Sequence, residues 1–370
     1  MKNKMKELKN FSKEYSLFLA IITFFLMSYF EHTLVQTTLG NLIGFGILFA
    51  VIIYAAMNVA HHAEMLAEKF GEPYGTLILT FSAVVVEIII IVIMMLHVEN
   101  PTLARDTIYA AIMLDINGLL GIAAIIGGIK YGEQPYNIDS SNSYLSMLLV
   151  AIGIAMVLPH FIDDAHYGMF SVFTVLTFVL LYITFTRVQL SSHKYFFEYQ
   201  KVKDTTEEKC EETAVCEKHT EINTWYHTVN LVLYIVAIGA LAEILSVFMG
   251  NTLANYGLPL AIGAVGVALI SASPELIVAV RAALDNRMQT VINIALGASL
   301  ATILLTIPSV IIVTYFMGMD LHLAITPLQG VMLALTLLVS IVNFNDGETN
   351  VLEGFLHFIL FIVFVFLLFV

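Results

Sequence analysis

The sequence predicts an all-α integral membrane protein of about eleven transmembrane helices, an inverted five-plus-five helix repeat behind one extra N-terminal helix. Three observations carry this. Hydrophobic residues make up 59% of the 370 and charged residues only 12%, outside the balance of an ordinary soluble domain. Apolar runs of roughly 17 to 25 residues, the length an α-helix needs to cross the hydrocarbon core, recur along the chain, whereas membrane β-strands are shorter and alternate in polarity. Finally, two segments that run from a glycine to a glutamate share one internal spacing in opposite halves of the chain.

The elements follow in order. Lys2, Lys4, Lys6, Lys9 and Lys13 precede the first apolar run, as in a secretory signal, but that run ends in Met27-Ser28-Tyr29-Phe30. With no small-residue cleavage pattern and further spans directly after it, it reads as a retained anchor. The spans fall at about 14–30, 39–60, 72–97, 106–129, 143–160, 168–187, 226–249, 257–283, 288–316, 323–343 and 352–370. The hydrophilic stretch 188–224 separates six spans from five. The expected organisation is an N-terminal cytoplasmic segment and leading helix over 1–38, a first five-helix repeat over 39–187, an acidic cytoplasmic linker over 188–224, and a second five-helix repeat over 225–370.

Much of the net charge of −13 sits in that linker, between Asp204 and Glu221, so the bulk charge says little about a partner. Cys210 and Cys216, with His219 nearby, also lie there. Structural zinc sites want four ligands at tighter spacing, so no metal or redox role is assigned to them.

Placing the lysine-rich N-terminus in the cytoplasm fixes every later loop by alternation. Lys69, Lys130, Arg187, Lys194, Lys201, Lys203, Lys209, Lys218, Arg281 and Arg287 then all fall inside and only Arg105 outside, as the positive-inside rule requires. The expectation is a multi-pass protein of the plasma or inner membrane, N-terminus cytoplasmic and C-terminus outside.

Gly75 to Glu87 and Gly263 to Glu275 span the same distance (87 − 75 = 12, 275 − 263 = 12), each just after a Gly-x-Pro, Gly71-Glu72-Pro73 and Gly257-Leu258-Pro259. They lie in the third and eighth spans, five apart, so the two helices run in opposite directions. Inverted repeats of this kind bring matched elements together near the bilayer midplane, where secondary transporters hold their substrates. A charged side chain at the centre of a span costs at least roughly 2.5 to 3.5 kcal/mol, so Glu87 and Glu275 line a pathway or hold a partner. Helical steps back from Glu275 meet Ala272, Ser271, Ala268, Ala264 and Gly263, and from Glu87 meet Val84, Ala83, Thr80, Thr76 and Gly75. Such stripes also serve close helix packing. Pro274 frees the carbonyl of Ile270, an oxygen that a cation at a helix break would satisfy, and Ser271 and Ser273 add hydroxyls.

The following helices carry Asp115, Asn117, Gly118 and Gly121, and Asn293, Gly297, Ser299 and Thr302. Spacing pairs Asn117 with the Ser299–Thr302 region, and Asp115, roughly opposite Asn117 on the helix, reads as a separate proton site. The cation ligands expected are therefore Glu87, Glu275, Ser271, Ser273, Thr80, Asn117 and Ser299. His62 and Glu64, with His61, at the end of the second span join Asp115 as a proton pathway or gate. On the opposite side Glu99, Asp163, Asp164 and His166 would form an acidic outer funnel. Oxygen-only ligands suit hard cations such as Ca²⁺ or Na⁺. Two carboxylates are neutralised by one Ca²⁺ or by two protons, while the bare dianion is penalised in a low dielectric, so occupancy alternates and transport is coupled antiport. No nucleophile, cofactor loop or phosphate-binding motif appears. The expected ligands are transported Ca²⁺ and H⁺ with no resident cofactor, the expected setting is a lipid bilayer without nucleic acid, and a homo-oligomer is left open.

At these residues the chain resembles the cation/calcium exchanger superfamily and, within it, the bacterial calcium/proton antiporters, over nearly its whole length. The resemblance is carried by His62-Ala-Glu64, Gly71-Glu-Pro-Tyr-Gly-Thr-Leu-Ile-Leu-Thr80, Glu87, Ser273-Pro-Glu275 and Gly297-Ala-Ser-Leu-Ala-Thr302. It implies ten core helices plus a leading one, and one glutamate per repeat exchanging calcium for protons, which falls on Glu87 and Glu275. It also implies that the acidic stretch 204–221 is a cytoplasmic linker between the halves. The superfamily's Gly-Asn-x-x-Glu pattern is replaced here by Ala83-Val-Val-Val-Glu87 and Ser271-Ala-Ser-Pro-Glu275, and members of this branch also move sodium or potassium. A sodium or potassium/proton antiporter, or further off a pH-gated cation channel, is therefore the alternative to calcium/proton exchange.

Overall fold

The computed structural model describes residues 14–70, 74–98, 100–189, 194–197 and 223–369. The lysine-rich N-terminus, Gly71-Glu72-Pro73, Glu99 and the acidic stretch with Cys210, Cys216 and His219 lie outside the described residues.

Among the described residues eleven long helices follow one another: α1 (Tyr15–Leu34), α2 (Thr38–Phe70), α3 (Tyr74–Val98), α4 (Leu103–Tyr131), α5 (Ile138–Phe161), α6 (Asp164–Arg187), α7 (Thr224–Tyr256), α8 (Leu260–Leu284), α9 (Met288–Met317), α10 (Pro327–Asn343) and α11 (Val351–Leu367). Among the described residues nine, α1 to α9, are long and apolar enough to cross a membrane, and α10 and α11 are apolar helices of 17 residues. Apolar side chains such as Phe25, Leu176 and Val236 are more than 60% exposed on the outside of the bundle, where a lipid solvent makes that exposure favourable.

Local chemistry sets several of the ends. Thr326 and Gln329 form a reciprocal capping box ahead of Pro327, which starts α10. Gly257 and Gly318, at φ 62° and 65°, end α7 and α9 in the left-handed conformation that glycine adopts without steric cost. Two helices outlast their apolar runs: α2 continues past residue 60 to Phe70, and α7 from 249 to Tyr256. Hydropathy reports the hydrocarbon core, whereas helical hydrogen bonding continues through Glu, Lys and Ala once it has begun. Pro274 sits inside an unbroken α8, so the helix does not break there.

The inter-helix contacts sort into two ends, as eleven single crossings demand. At one end the strands β1 (Glu133–Pro135) and β2 (Glu348–Asn350), from the α4–α5 and α10–α11 connections, pair antiparallel with Gln134 opposite Thr349. The same end holds Gln134, whose amide donates to Ala283 O and Asn286 Oδ1 at 2.9 Å, and Lys130, whose Nζ donates to Leu284 O at 2.7 Å. At the other end His322 N donates to Pro101 O at 2.9 Å and Arg105 Nη1 to Ala324 O at 3.0 Å.

The leading helix is fastened at the first of these ends. Glu14, just before α1, accepts hydrogen bonds from the Tyr226 and Tyr234 hydroxyls of α7 and lies 3.5 Å from His62 Nε2 of α2. His62 Nδ1 in turn meets His227 Nδ1 of α7 at 2.9 Å, a contact in which only one of the two nitrogens can carry a proton. Burial alone would raise the Glu14 carboxyl, but the two tyrosine hydrogen bonds and the His62 ring outweigh it and hold it below the ordinary carboxylate range. A depressed folded-state value stabilises the docked helix above the unfolded-state value, and the contribution fades as pH falls through the folded-state value. Glu14→Gln should therefore lower the thermal midpoint of the purified protein at neutral pH and converge with the wild type in acid. Two melting curves that stay parallel across that range would refute the assignment.

Candidate functional site

Glu87 lies in the middle of α3, buried, and Glu275 in the middle of α8, half-buried. The helices that follow them share a feature invisible in the hydropathy. Each opens into a π-helical turn, Leu114–Leu119 in α4 and Thr302–Thr306 in α9. The two turns start the same distance from their glutamates (114 − 87 = 27, 302 − 275 = 27). π-Turns widen the helix by one residue and are often kept at functional sites.

The repeats interlock at these turns. α3 packs on the π-turn of α9, and α8 packs on the π-turn of α4. Glu87 Oε2 consequently accepts from Thr302 Oγ1 at 3.0 Å and from Thr306 Oγ1 at 2.7 Å, across the repeats. Asp115, on the π-turn of α4, accepts from Ser299 Oγ of α9 at 3.1 Å and lines the same cavity as both glutamates. One half of the site thus brings two hydroxyls where the other brings a third carboxyl. Glu87 Oε1 and Glu275 Oε2 are buried without a protein hydrogen-bond partner, the condition of an oxygen whose partner is a cation or a proton.

These groups face a cavity of about 420 Å³. Its walls come mostly from one half of the bundle: Val59 and Ala60 of α2, Thr80 and Glu87 of α3, Thr186 of α6 and Gln189 just after it, Glu275 and Val278 of α8, and Thr290 and Asn293 of α9. The cavity therefore runs from the carboxyls toward the end at which α6 finishes and α7 begins. On the far side of the glutamates the core is closed by Ile91, Met94 and Met95 of α3 and by Ile303, Leu304 and Ile307 of α9, all buried.

Of the residues nominated from sequence, Glu87, Glu275, Thr80, Ser271 and Asp115 line the cavity. The Ser271 hydroxyl donates to Ala268 O at 3.0 Å, leaving its lone pairs available. Ser273 donates to Leu269 O, and Ser299 reaches the site through Asp115. Asn117 points away from the cavity, donating to Thr336 Oγ1 at 2.8 Å and facing His357 Nδ1 at 3.0 Å. His62 is held by Glu14 and His227, and Glu64 is exposed one half-turn on. Sequence reasoning passed over Thr306, whose signal was a hydroxyl one turn beyond Thr302, and His357, a lone imidazole in an apolar run. Among the described residues no three His, Cys, Asp or Glu side chains converge on one point. A cation here would take one or two carboxylates together with hydroxyl and carbonyl oxygens, a hard-cation set.

The sequence pattern of a family described as sodium/calcium exchanger protein matches residues 40–191 and 226–370, leaving out the hydrophilic stretch between them. The chain is 34% identical over 319 residues, 85% of each chain, to the putative ionic transporter y4hA of Sinorhizobium fredii. It is 30% identical over 367 residues, 98% of each chain, to the sodium-potassium/proton antiporter ChaA of Escherichia coli. The solved structure of the selenium-substituted Ca²⁺/H⁺ antiporter YfkE resembles it with a TM-score of 0.75 at 20% identity, over 96% of this chain and 99% of that one.

Proposed function

We propose, from the premise that this chain belongs to the sodium/calcium exchanger protein family and is a multi-pass membrane cation/proton antiporter, that its cargo is calcium and that Glu87 and Glu275 carry calcium or protons in alternation. The observation that carries this reading is the pair of buried, unpartnered glutamate oxygens on one cavity, one from each repeat. A Ca²⁺ ion neutralises both carboxylates, as do two protons, and the empty dianion is strongly disfavoured in a low-dielectric interior. The occluded site therefore crosses the membrane loaded, which couples the two fluxes.

The positive-inside count supports assigning the cavity's open end to the cytoplasm, with the N-terminus inside and the C-terminus outside. The cavity then corresponds to the state that takes calcium from the cytoplasm and gives up protons there. Ser271 and Thr80 complete the coordination, Ser273 and Ser299 buttress it, and Asp115 takes part in proton transfer. His62 and Glu64 lie outside the cavity wall toward the end of α2, where they act on proton entry through Glu14 and His227. The organisation is a leading helix over 1–38, repeats over 39–187 and 225–370, and a linker over 188–224.

Sodium or potassium as the cation is the second reading, favoured by the name of the Escherichia coli relative. Proteoliposomes loaded with a pH indicator separate the two. Ca²⁺ should dissipate an imposed pH gradient; a response to Na⁺ or K⁺ alone would replace the calcium assignment. Current without matching proton counterflow would mean a channel.

A further inference from the structure

We infer that His357 is a positioning residue, which through Asn117 holds the π-turn of α4 in the register that aims Asp115 into the cavity. The inference rests on the proposed role of Asp115 and concerns a residue that touches neither cation nor cavity.

His357 sits in the middle of α11, fully buried in an apolar helix, where an ionisable side chain is expensive and calls for a specific partner. Its Nδ1 lies 3.0 Å from Asn117 Oδ1. The Asn117 amide is oriented by its other end, because Nδ2 donates to Thr336 Oγ1 of α10 at 2.8 Å. The amide oxygen therefore faces the imidazole and His357 Nδ1–H is the donor. The ring is stacked on Phe344, with centroids 5.6 Å apart and planes at 13°, which sets its rotation.

Helix backbone contact removes slack from this arrangement. A Cβ placed on Gly121 would stand 2.9 Å from Phe358 N and 3.1 Å from Gly354 O, so α4 and α11 meet nearly atom on atom beside the His357–Asn117 pair. Asn117 and Asp115 are two positions apart and so point to opposite faces of one turn. What grips Asn117 from behind orients Asp115 in front. Without that grip the π-turn can relax to a regular α-helix, which turns the residues on its two sides by about 100° relative to one another. Asp115 would then leave both the cavity and Ser299.

The test reads the position of Asp115 directly. A hydrophobic carbodiimide added to the purified full-length protein converts buried, protonated carboxyls to N-acylureas that mass spectrometry assigns by residue. In His357→Leu the labelling of Asp115 should be lost while Glu87 and Glu275 keep theirs, and His357→Asn, which restores a donor near the Nδ1 position, should recover it. Thr336→Val, a milder removal of the amide's other anchor, should lower it in part and keeps the test open if His357→Leu does not fold. In transport, His357→Leu should shift the calcium KM as Asp115→Asn does, and the double variant should be no worse than Asp115→Asn alone. Unchanged Asp115 labelling in both His357→Leu and Thr336→Val, or additive effects in the double variant, would overturn the inference. Lost labelling with a transport-silent Asp115→Asn would instead uphold the positioning and remove Asp115 from the transport reading.

Discussion

Replacing Glu87 or Glu275 with glutamine should abolish the accumulation of ⁴⁵Ca²⁺ against an imposed pH gradient, a loss of roughly 10² to 10³-fold. Removing one member of a buried charged assembly costs about 3 to 4 kcal/mol, which is that factor. Glutamine keeps the size of the side chain, so Thr302 and Thr306 can still donate to an oxygen at position 87. It cannot release a proton or contribute a negative charge. Both substitutions should also remove calcium-dependent proton release, because one carboxylate serves both ions in turn. Retention of uphill calcium movement by either variant in sealed vesicles would dismiss the two-glutamate mechanism. Thr302→Val with Thr306→Val should have a smaller effect, since it removes two hydrogen bonds from one glutamate and leaves both charges in place.

The second large effect is expected on stability rather than transport. A Cβ on Gly354 of α11 would fall 2.7 Å from Ile125 N, 2.9 Å from Gly121 O and 3.0 Å from Ala124 C, all backbone atoms of α4. Backbone cannot swing aside as a side-chain tip does, so Gly354→Ala must push the helices apart. Overpacking of this kind costs typically about 1 to 3 kcal/mol. The thermal midpoint in detergent should drop accordingly. Gly46→Ala in α2 is the matched control, because a Cβ there meets nothing within 4 Å and alanine is the better helix former by roughly 0.5 to 1 kcal/mol. A Gly354→Ala midpoint equal to that of Gly46→Ala would show that the α4–α11 contact has room for a methyl group.

Most of the architecture was legible because a bilayer allows few solutions. Every spanning backbone must satisfy its own hydrogen bonds, so long apolar runs are helices, and alternation of their ends follows from counting. The eleven helices, their five-plus-five division and the two mid-span glutamates come from that reasoning. The Gly-to-Glu spacing pointed at α3 and α8 as matched elements, and the π-turns at equal distance beyond each glutamate extend the match to α4 and α9.

The ends of α2 and α7 were less legible, since the lipid boundary and the helix boundary are different physical limits. Asp115 and Asn117 show a deeper limit. Their separation by two residues placed them on opposite faces, and that holds. A helical wheel, however, gives only relative angles, and which face looks into the cavity depends on how α8, α9 and α11 crowd α4.

By itself, then, the sequence determined the solvent of this protein, the number of its helices, and the two carboxylates that a membrane would not otherwise tolerate. Tertiary structure alone decided that Glu87 meets Thr302 and Thr306 of the opposite repeat, that Asp115 rather than Asn117 faces the cavity, and that the cavity runs toward one end. The physical reason is that hydrophobicity and helical period act along one chain segment. Azimuth, π-turns and cross-repeat hydrogen bonds are set by contacts between segments some two hundred residues apart, and no local pattern encodes them.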